Sequence, residues 1–182
     1  EHNCGVLTDR VIAELSHLAK AHSNTIILAD SRIRIGAFQN ITLKPNAYEA
    51  VRTIYPDYVG EPDSDLLKAC IQTFSKRTDC PVFVTQGPEG ILCTDGNVLT
   101  HIPAIPISGP IDTVGAGDAV SAAVVSALCA GATYQEAALL GMVASSITIE
   151  QIGTTGTASP NQILQRFRET YPAGWQDTCR DI

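Results

Sequence analysis

The chain is expected to belong to the α/β class, with a mostly parallel sheet covered by helices. Three observations predict this. Short β-branched runs alternate with segments of helical periodicity along the chain. The segments between the early runs are long enough for the crossovers that parallel strands require. A length of 182 residues with 45% apolar content is enough to bury one sizeable core.

Thr8 to Ala21 sets Val11, Ile12, Leu15, Leu18 and Ala19 at helical spacing behind Thr8, a residue suited to an N-cap. Thr25 to Ala29 and Asn40 to Leu43 are apolar and β-branched, and they end at Asp30 and at Lys44-Pro45-Asn46, so both read as strands. Asp63 to Thr78 is helical through Leu66, Leu67, Cys70, Ile71 and Phe74, and a strand follows at Val82 to Thr85. After the turn Gly87-Pro88-Glu89-Gly90, Asp95-Gly96 joins Ile91–Thr94 to Asn97–Ile102 as a hairpin. A proline-rich segment, Pro103 to Pro110, precedes a helix from about Ala116 to Ala130 that Gly131 stops. Thr133 and Glu136 form a capping box for a helix from Tyr134 to about Glu150, and Ser159-Pro160 opens the last one. Ligands of such sheets collect beyond the carboxyl ends of the strands, so Asp30, Asn46, Thr85 and Gly87 are expected at one rim with Asp118.

A net charge of -7 argues against nucleic acid or an anionic membrane as the main partner, because both select clustered Lys and Arg. The six cysteines are scattered without a Cys-x-x-Cys pair, which reads as reduced thiols in a cytoplasmic protein. The four histidines are dispersed as well, and His17 and His22 are expected at the surface. The one long uncharged stretch, Ala119 to Gln135, is broken by Gly131 and carries Ser121 and Ser126, so it reads as a buried helix rather than a membrane span.

Residues 109 to 118, Gly-Pro-Ile-Asp-Thr-Val-Gly-Ala-Gly-Asp, carry the chemistry. Small residues at 115 to 117 let backbone N–H groups approach an anion, and the helix starting there aims its positive dipole end at the same point. Asp118 is a carboxylate in the first turn, placed to take a hydroxyl proton during phosphoryl transfer. A Gly-rich turn before a helix is common in itself, but Asp112 to Asp118 followed by a small-residue helix resembles the second signature of the ribokinase-like (PfkB) carbohydrate kinases. The resemblance implies a three-layer α/β/α fold and ATP-dependent phosphorylation of a sugar or sugar phosphate. It makes Asp118 the catalytic base and Gly115, Ala116 and Gly117 the anion hole.

The same resemblance extends to other segments. Asn46-Ala47-Tyr48-Glu49 is similar to the Asn-x-x-Glu element that organises Mg²⁺ and phosphates, partly through water, although Asn with Glu three residues on is also ordinary helix-capping chemistry. Thr85, Gly87 and Gly90 resemble a turn that lies along the nucleotide, where a hairpin connection needs glycine just as much. Asp112 and the backbone at Val114 match positions that bind a monovalent cation, K⁺ for preference, supported by a loop within Gln151 to Ser159; Asp112 also suits a turn. Arg32 or Arg34 is a lesser phosphate candidate, with surface ion pairing the alternative. Gly153 to Thr157, with the stretch from Cys4-Gly5-Val6-Leu7 to Lys44-Pro45-Asn46, resembles the heptose-phosphate kinase branch.

The resemblance covers residues 1 to 182 as the C-terminal portion of one kinase domain. The chain opens at Glu1 rather than Met, so the expectation is an excised region, with the N-terminal part and the small β lid of the family missing. A homodimer is expected of the full-length protein. The alternative function is a nucleotide-binding or regulatory module without turnover, against which an intact Asp118 argues. A dinucleotide-binding dehydrogenase would place its Gly-rich fingerprint after the first strand, and none stands there.

Overall fold

The computed structural model describes residues 5–176 and the strand Arg180–Asp181. Cys4 and Cys179, two of the expected thiols, lie outside the described residues. The chain divides into two compact units, Glu1–Val84 with Thr94–Leu99, and Thr85–Cys93 with Thr100–Ile182.

In the first unit, α1 (Asp9–Ala21) starts where the Thr8 hydroxyl accepts the N–H of Val11 at 3.4 Å, and it buries Ile12 and Ala19. Strands β1 (Leu28–Ala29) and β2 (Thr42–Leu43) run parallel, Leu28 opposite Thr42 and Ala29 opposite Leu43. β2 is in turn parallel to β3 (Val82–Thr85), with Leu43 opposite Val82. Both early strands are shorter than the runs predicted for them. The N–H of Thr25 is turned back to the carbonyl of His22 at 2.8 Å, and Asn40 takes a φ of 57°, outside the extended region a strand needs.

Helices α2 (Ala47–Ile54) and α3 (Ser64–Thr78) follow, capped by Asn46 and Asp63. α3 ends at Asp79 in the left-handed region, φ 51°. Leu43, Val51, Ile71, Phe74, Val82 and Phe83 make the core of this unit, each no more than 2% exposed. A 3-10 turn at Ile35–Ala37 was not expected from the sequence.

The hairpin of β4 (Ile91–Thr94) and β5 (Leu99–Ile102) turns as Asp95-Gly96 predicts, the Thr94 hydroxyl accepting the N–H of Gly96 at 3.0 Å and donating to the carbonyl of Val98 at 2.7 Å. In the second unit the strand order is β4-β5-β6, and β6 (Arg180–Asp181) lies antiparallel to β5 with Thr100 opposite Asp181. The helices here are α4 (Ala116–Cys129), α5 (Tyr134–Thr148) and α6 (Pro160–Thr170). Both capping boxes at Thr133/Glu136 and Ser159/Gln162 form, and Gly131, at φ 86°, stops the chain after α4 as expected.

Small residues bring α4 and α5 together. Gly141 is buried in α5, and a Cβ there would come 3.1 Å from Cγ1 of Val120 and 3.4 Å from Cγ2 of Val124 on α4. Ala123, Ala127, Ala137, Ala138 and Ala144 are buried alongside. Close helix approach thus rests on missing side-chain volume. Cys70, Cys80, Cys93 and Cys129 form no disulfide, and burial pushes the Cys70 thiol up to about 11, which makes it unreactive. Among the described residues no helix is long and apolar enough to cross a membrane.

Enlarging Gly141 to Val is expected to cost about 1–3 kcal/mol by overpacking the α4–α5 contact, and Phe74→Ala about 3–5 kcal/mol by opening a cavity in the first unit. Denaturant unfolding measures both against Cys129→Ser, an exposed position. A Gly141→Val protein as stable as that control would show that the helices do not need the gap.

Candidate active site

The segment 109 to 118 folds into a loop tied at Asp112 to the end of α5 and to the loop beyond it before it becomes α4. The N–H of Asp112 donates to the carbonyl of Ile149, at the end of α5, at 2.8 Å. The Asp112 carboxylate accepts the N–H of Val114 on Oδ1 and the N–H of Gly153 on Oδ2, both at 3.0 Å. The backbone donors of Val114 and then Gly153 hold this carboxyl below the usual Asp range, with partial burial opposing them.

Gly115 is the N-cap of α4 with φ 84°, a left-handed conformation that glycine adopts without strain. A Cβ at Gly115 would lie 2.9 Å from Cγ2 of Thr155, so the loop after α5 presses directly on this turn.

α4 differs from the other helices at its start. α1, α2, α3, α5 and α6 all begin with a side-chain cap, from Thr8, Asn46, Asp63, Thr133 and Ser159. Gly115 supplies none. The N–H of Ala116 closes a turn to the carbonyl of Thr113 at 3.2 Å, and the first intrahelical bond runs from Ala119 to Gly115 at 2.9 Å. Between them, the N–H groups of Gly117 and Asp118 meet no protein acceptor among the described residues, and both residues are exposed. The result is an open helix N-terminus with a carboxylate in its first turn.

A cavity of about 570 Å³ opens beside that terminus within the second unit. Thr85, Gly87, Pro88 and Gly90 form one wall, Ala104 to Ile107 with Gly109 and Ile111 a second, Ala116, Gly117 and Val120 a third, and Met142, Ser145, Ser146 and Ile149 the last. No lining residue carries a charge. Gly90 is fixed by crowding: a Cβ there would fall 2.1 Å from the carbonyl oxygen of Ile102 and 2.6 Å from the nitrogen of Ala104. Thr85 to Gly90 is a tight turn, with the N–H of Gln86 on the carbonyl of Gly90 at 2.8 Å.

Of the residues the sequence singles out, Ala116, Gly117, Thr85, Gly87 and Gly90 thus line one cavity, with Gly115 as the cap residue just before Ala116. Gly115 and Ala116 are half-buried there. Asp118 stands in the next helical position and outside the lining itself. Asp112 and Val114 belong to the tied loop.

Asn46 and Glu49 lie in the first unit at the start of α2 and form a capping box, Asn46 Oδ1 accepting the Glu49 N–H at 2.9 Å and Glu49 Oε2 accepting the Asn46 N–H at 2.8 Å. Asp30, also in that unit, pairs with the ammonium of Lys44 at 2.8 Å. Arg34 binds the carbonyl of Leu7 at 2.8 Å and the carboxylate of Asp9, the ion-pairing role that competed with phosphate binding. His17 and His22 are exposed, and no group of three or more His, Cys, Asp or Glu among the described residues could hold a metal.

Sequence reasoning missed the apolar lining, Ile105, Ile107, Met142 and Ile149. A signal existed only for the first two: Ala104-Ile105-Pro106-Ile107 has neither helical nor alternating period, so its isoleucines needed a burial site outside any regular element.

Residues 3–162 match the pfkB family carbohydrate kinase pattern. The bifunctional protein HldE of Hyphomonas neptunium is 31% identical over 177 residues, covering 93% of this chain and 35% of that protein. HldE of Bradyrhizobium diazoefficiens is 29% identical over 158 residues, covering 82% and 30%. The chain spans about a third of the length of these curated relatives.

Among solved structures, phosphofructokinase-2 from Escherichia coli in complex with potassium superposes with a TM-score of 0.72 at 23% identity, over 87% of this chain and 52% of that one. Arabidopsis thaliana ribokinase complexed with ribose and ATP gives 0.73 at 17%, over 88% and 53%. These likenesses show the ribokinase-type α/β fold that the sequence predicted. Because the family pattern runs from residue 3 to 162 and takes in the loop before α4, the chain belongs to the pfkB family of carbohydrate kinases.

Proposed function

We propose that the protein transfers the terminal phosphoryl group of ATP to a hydroxyl of a sugar or sugar phosphate, with Asp118 as general base. The observation that carries this reading is the uncharged cavity beside the uncapped start of α4, where a carboxylate occupies the first turn. Apolar walls at Ile105, Ile107, Met142 and Ile149 suit the faces of a nucleobase. The amides of Gly117 and Asp118, backed by the dipole of α4, suit the charge on a transferring phosphoryl group. Asp118 takes the proton of the sugar hydroxyl as that oxygen bonds to phosphorus; the bond from phosphorus to the bridging oxygen breaks, and ADP leaves with the electron pair.

Asn46 and Glu49 offer the amide and carboxylate oxygens that Mg²⁺ selects. Their capping bonds engage Asn46 Oδ1 and Glu49 Oε2 and leave Glu49 Oε1 outside the cap. Mg²⁺ held by Asn46 and Glu49, partly through water, would supply neutralisation of phosphate charge. Asp112, with lone pairs beyond its two N–H bonds, and the carbonyl of Val114 fit K⁺. Thr85, Gly87 and Gly90 run along the nucleotide. Gly153 to Thr157, together with the HldE relatives, supports a heptose phosphate as the sugar. Thiols at Cys70, Cys80, Cys93 and Cys129 support a cytoplasmic location.

Asp118→Asn in the full-length protein is expected to lower sugar-dependent ADP release by at least about 100-fold, with nucleotide binding little changed; turnover within a few-fold of wild type would remove Asp118 from the role of base. Mg²⁺ titrations are expected to shift to higher concentration in Glu49→Gln, and K⁺ to stimulate more than Na⁺. Superimposable titrations would exclude Glu49, and indifference to K⁺ would exclude the Asp112 cation site.

The lowered Asp112 pKa sets a sign for acid stability. A carboxyl depressed on folding contributes stability that is fully present above the unfolded Asp value, about 3.9, and is lost as the pH falls through the folded value. Unfolding measured from pH 5 downwards should therefore show a shallower acid loss in Asp112→Asn than in wild type. Equal slopes would show that folding does not depress the Asp112 carboxyl.

A further inference from the structure

The exit of the loop after α5 is pinned by the side chain of Gln151. Gln151 follows the end of α5, its N–H on the carbonyl of Thr148 at 3.1 Å. Its carboxamide nitrogen donates to the carbonyl of Ile147 at 3.1 Å and to the carbonyl of Thr157 at 2.7 Å. Its Oε1 accepts the N–H of Thr157 at 3.2 Å. One amide thus pins the exit of the loop to the last turn of α5. Gly156 is matched to this arrangement: a Cβ there would sit 2.6 Å from the carbonyl oxygen of Thr148 and 3.1 Å from both Cβ and Cδ of Gln151.

Between the two pinned points lie Gly153, whose N–H binds Asp112 Oδ2, and Thr155, whose methyl group abuts Gly115. Both contacts reach the turn that aims the Gly117 and Asp118 amides. Gln151 itself lines no part of the cavity.

We propose that Gln151 is a positioning residue for phosphoryl transfer, its carboxamide stapling residues 151–157 so that Gly153 and Thr155 fix the anion-binding start of α4. This rests on the kinase reading above. The staple works through donors: both carbonyls of Ile147 and Thr157 need an N–H, and only the amide provides two. A carboxylate of the same shape would keep the acceptor for Thr157 and set negative charge against two carbonyl oxygens. Displacement of the loop would misplace the amides by a fraction of an ångström while leaving the apolar walls intact, so the cost falls on the chemical step rather than on nucleotide binding.

The test compares Gln151→Ala, Gln151→Glu and Gln151→Met with wild type in the full-length protein, with Gln165→Ala on α6 as control. Sugar-dependent ADP release is expected to fall roughly 10-fold or more in kcat for all three Gln151 variants, with the ATP dissociation constant within about 2-fold and the control unchanged. Amide hydrogen exchange should show lost protection at Gly153 and Val114 in the same variants.

Glu or Met restoring wild-type kcat would reduce Gln151 to a space-filler and overturn the proposal, as would unchanged protection at Gly153. Lost protection with unchanged kcat would overturn the link to catalysis. A wild-type protein with no sugar-dependent turnover and normal nucleotide binding would instead refute the kinase reading, while the exchange data still decide whether Gln151 holds the loop.

Discussion

Asp112 ties together two loops of the second unit. Its carboxylate joins two segments 41 residues apart, the loop before α4 and the loop after α5, and its own N–H ties the first of these to Ile149. Hydrogen bonds to an ionised acceptor are stronger than neutral ones, and two backbone donors converge on this one group. Gly115 gives α4 no side-chain cap, and its first amides follow the helix axis that packing on α5 sets. The two loops that Asp112 joins meet at that first turn, where Thr155 lies against Gly115.

Local chemistry was the most legible part of the sequence. Thr8, Thr133 with Glu136, and Ser159 with Pro160 announced helix starts because a cap is decided by residues three or four apart. The loop of residues 109–118 was legible for the same reason. The short extent of β1 and β2 was not, since the left-handed Asn40 and the turn at Thr25 override a favourable β-branched composition. The Asp112–Gly153 bond was hidden by sequence distance. Met142 and Ile149 were hidden by their ordinariness, because an apolar residue on a helix reads as core until its neighbours leave a cavity. At Asn46 and Glu49 the same two residue types serve the helix cap seen in the structure and the oxygen set proposed for a metal, so the pattern alone could not separate them.

In the first unit, charge is handled differently. The Lys44 side chain is only 3% exposed, at the end of β2, and its ammonium is 2.8 Å from the carboxylate of Asp30 at the end of β1. Stripping water from an ammonium is expensive, and the pair is sustained by the nearby opposite charge. Neighbouring parallel strands therefore end in a fixed polar joint. It stands just ahead of Asn46, so the start of α2 leaves the sheet from a point already immobilised.

The uncapped start of α4 has a thermodynamic consequence. Among the described residues, each of the other five helices has one first-turn amide met by a side-chain cap, and α4 has none. On the kinase reading proposed above, an anion bound there stabilises the folded unit by mass action, so the melting temperature of that unit rises with anion concentration.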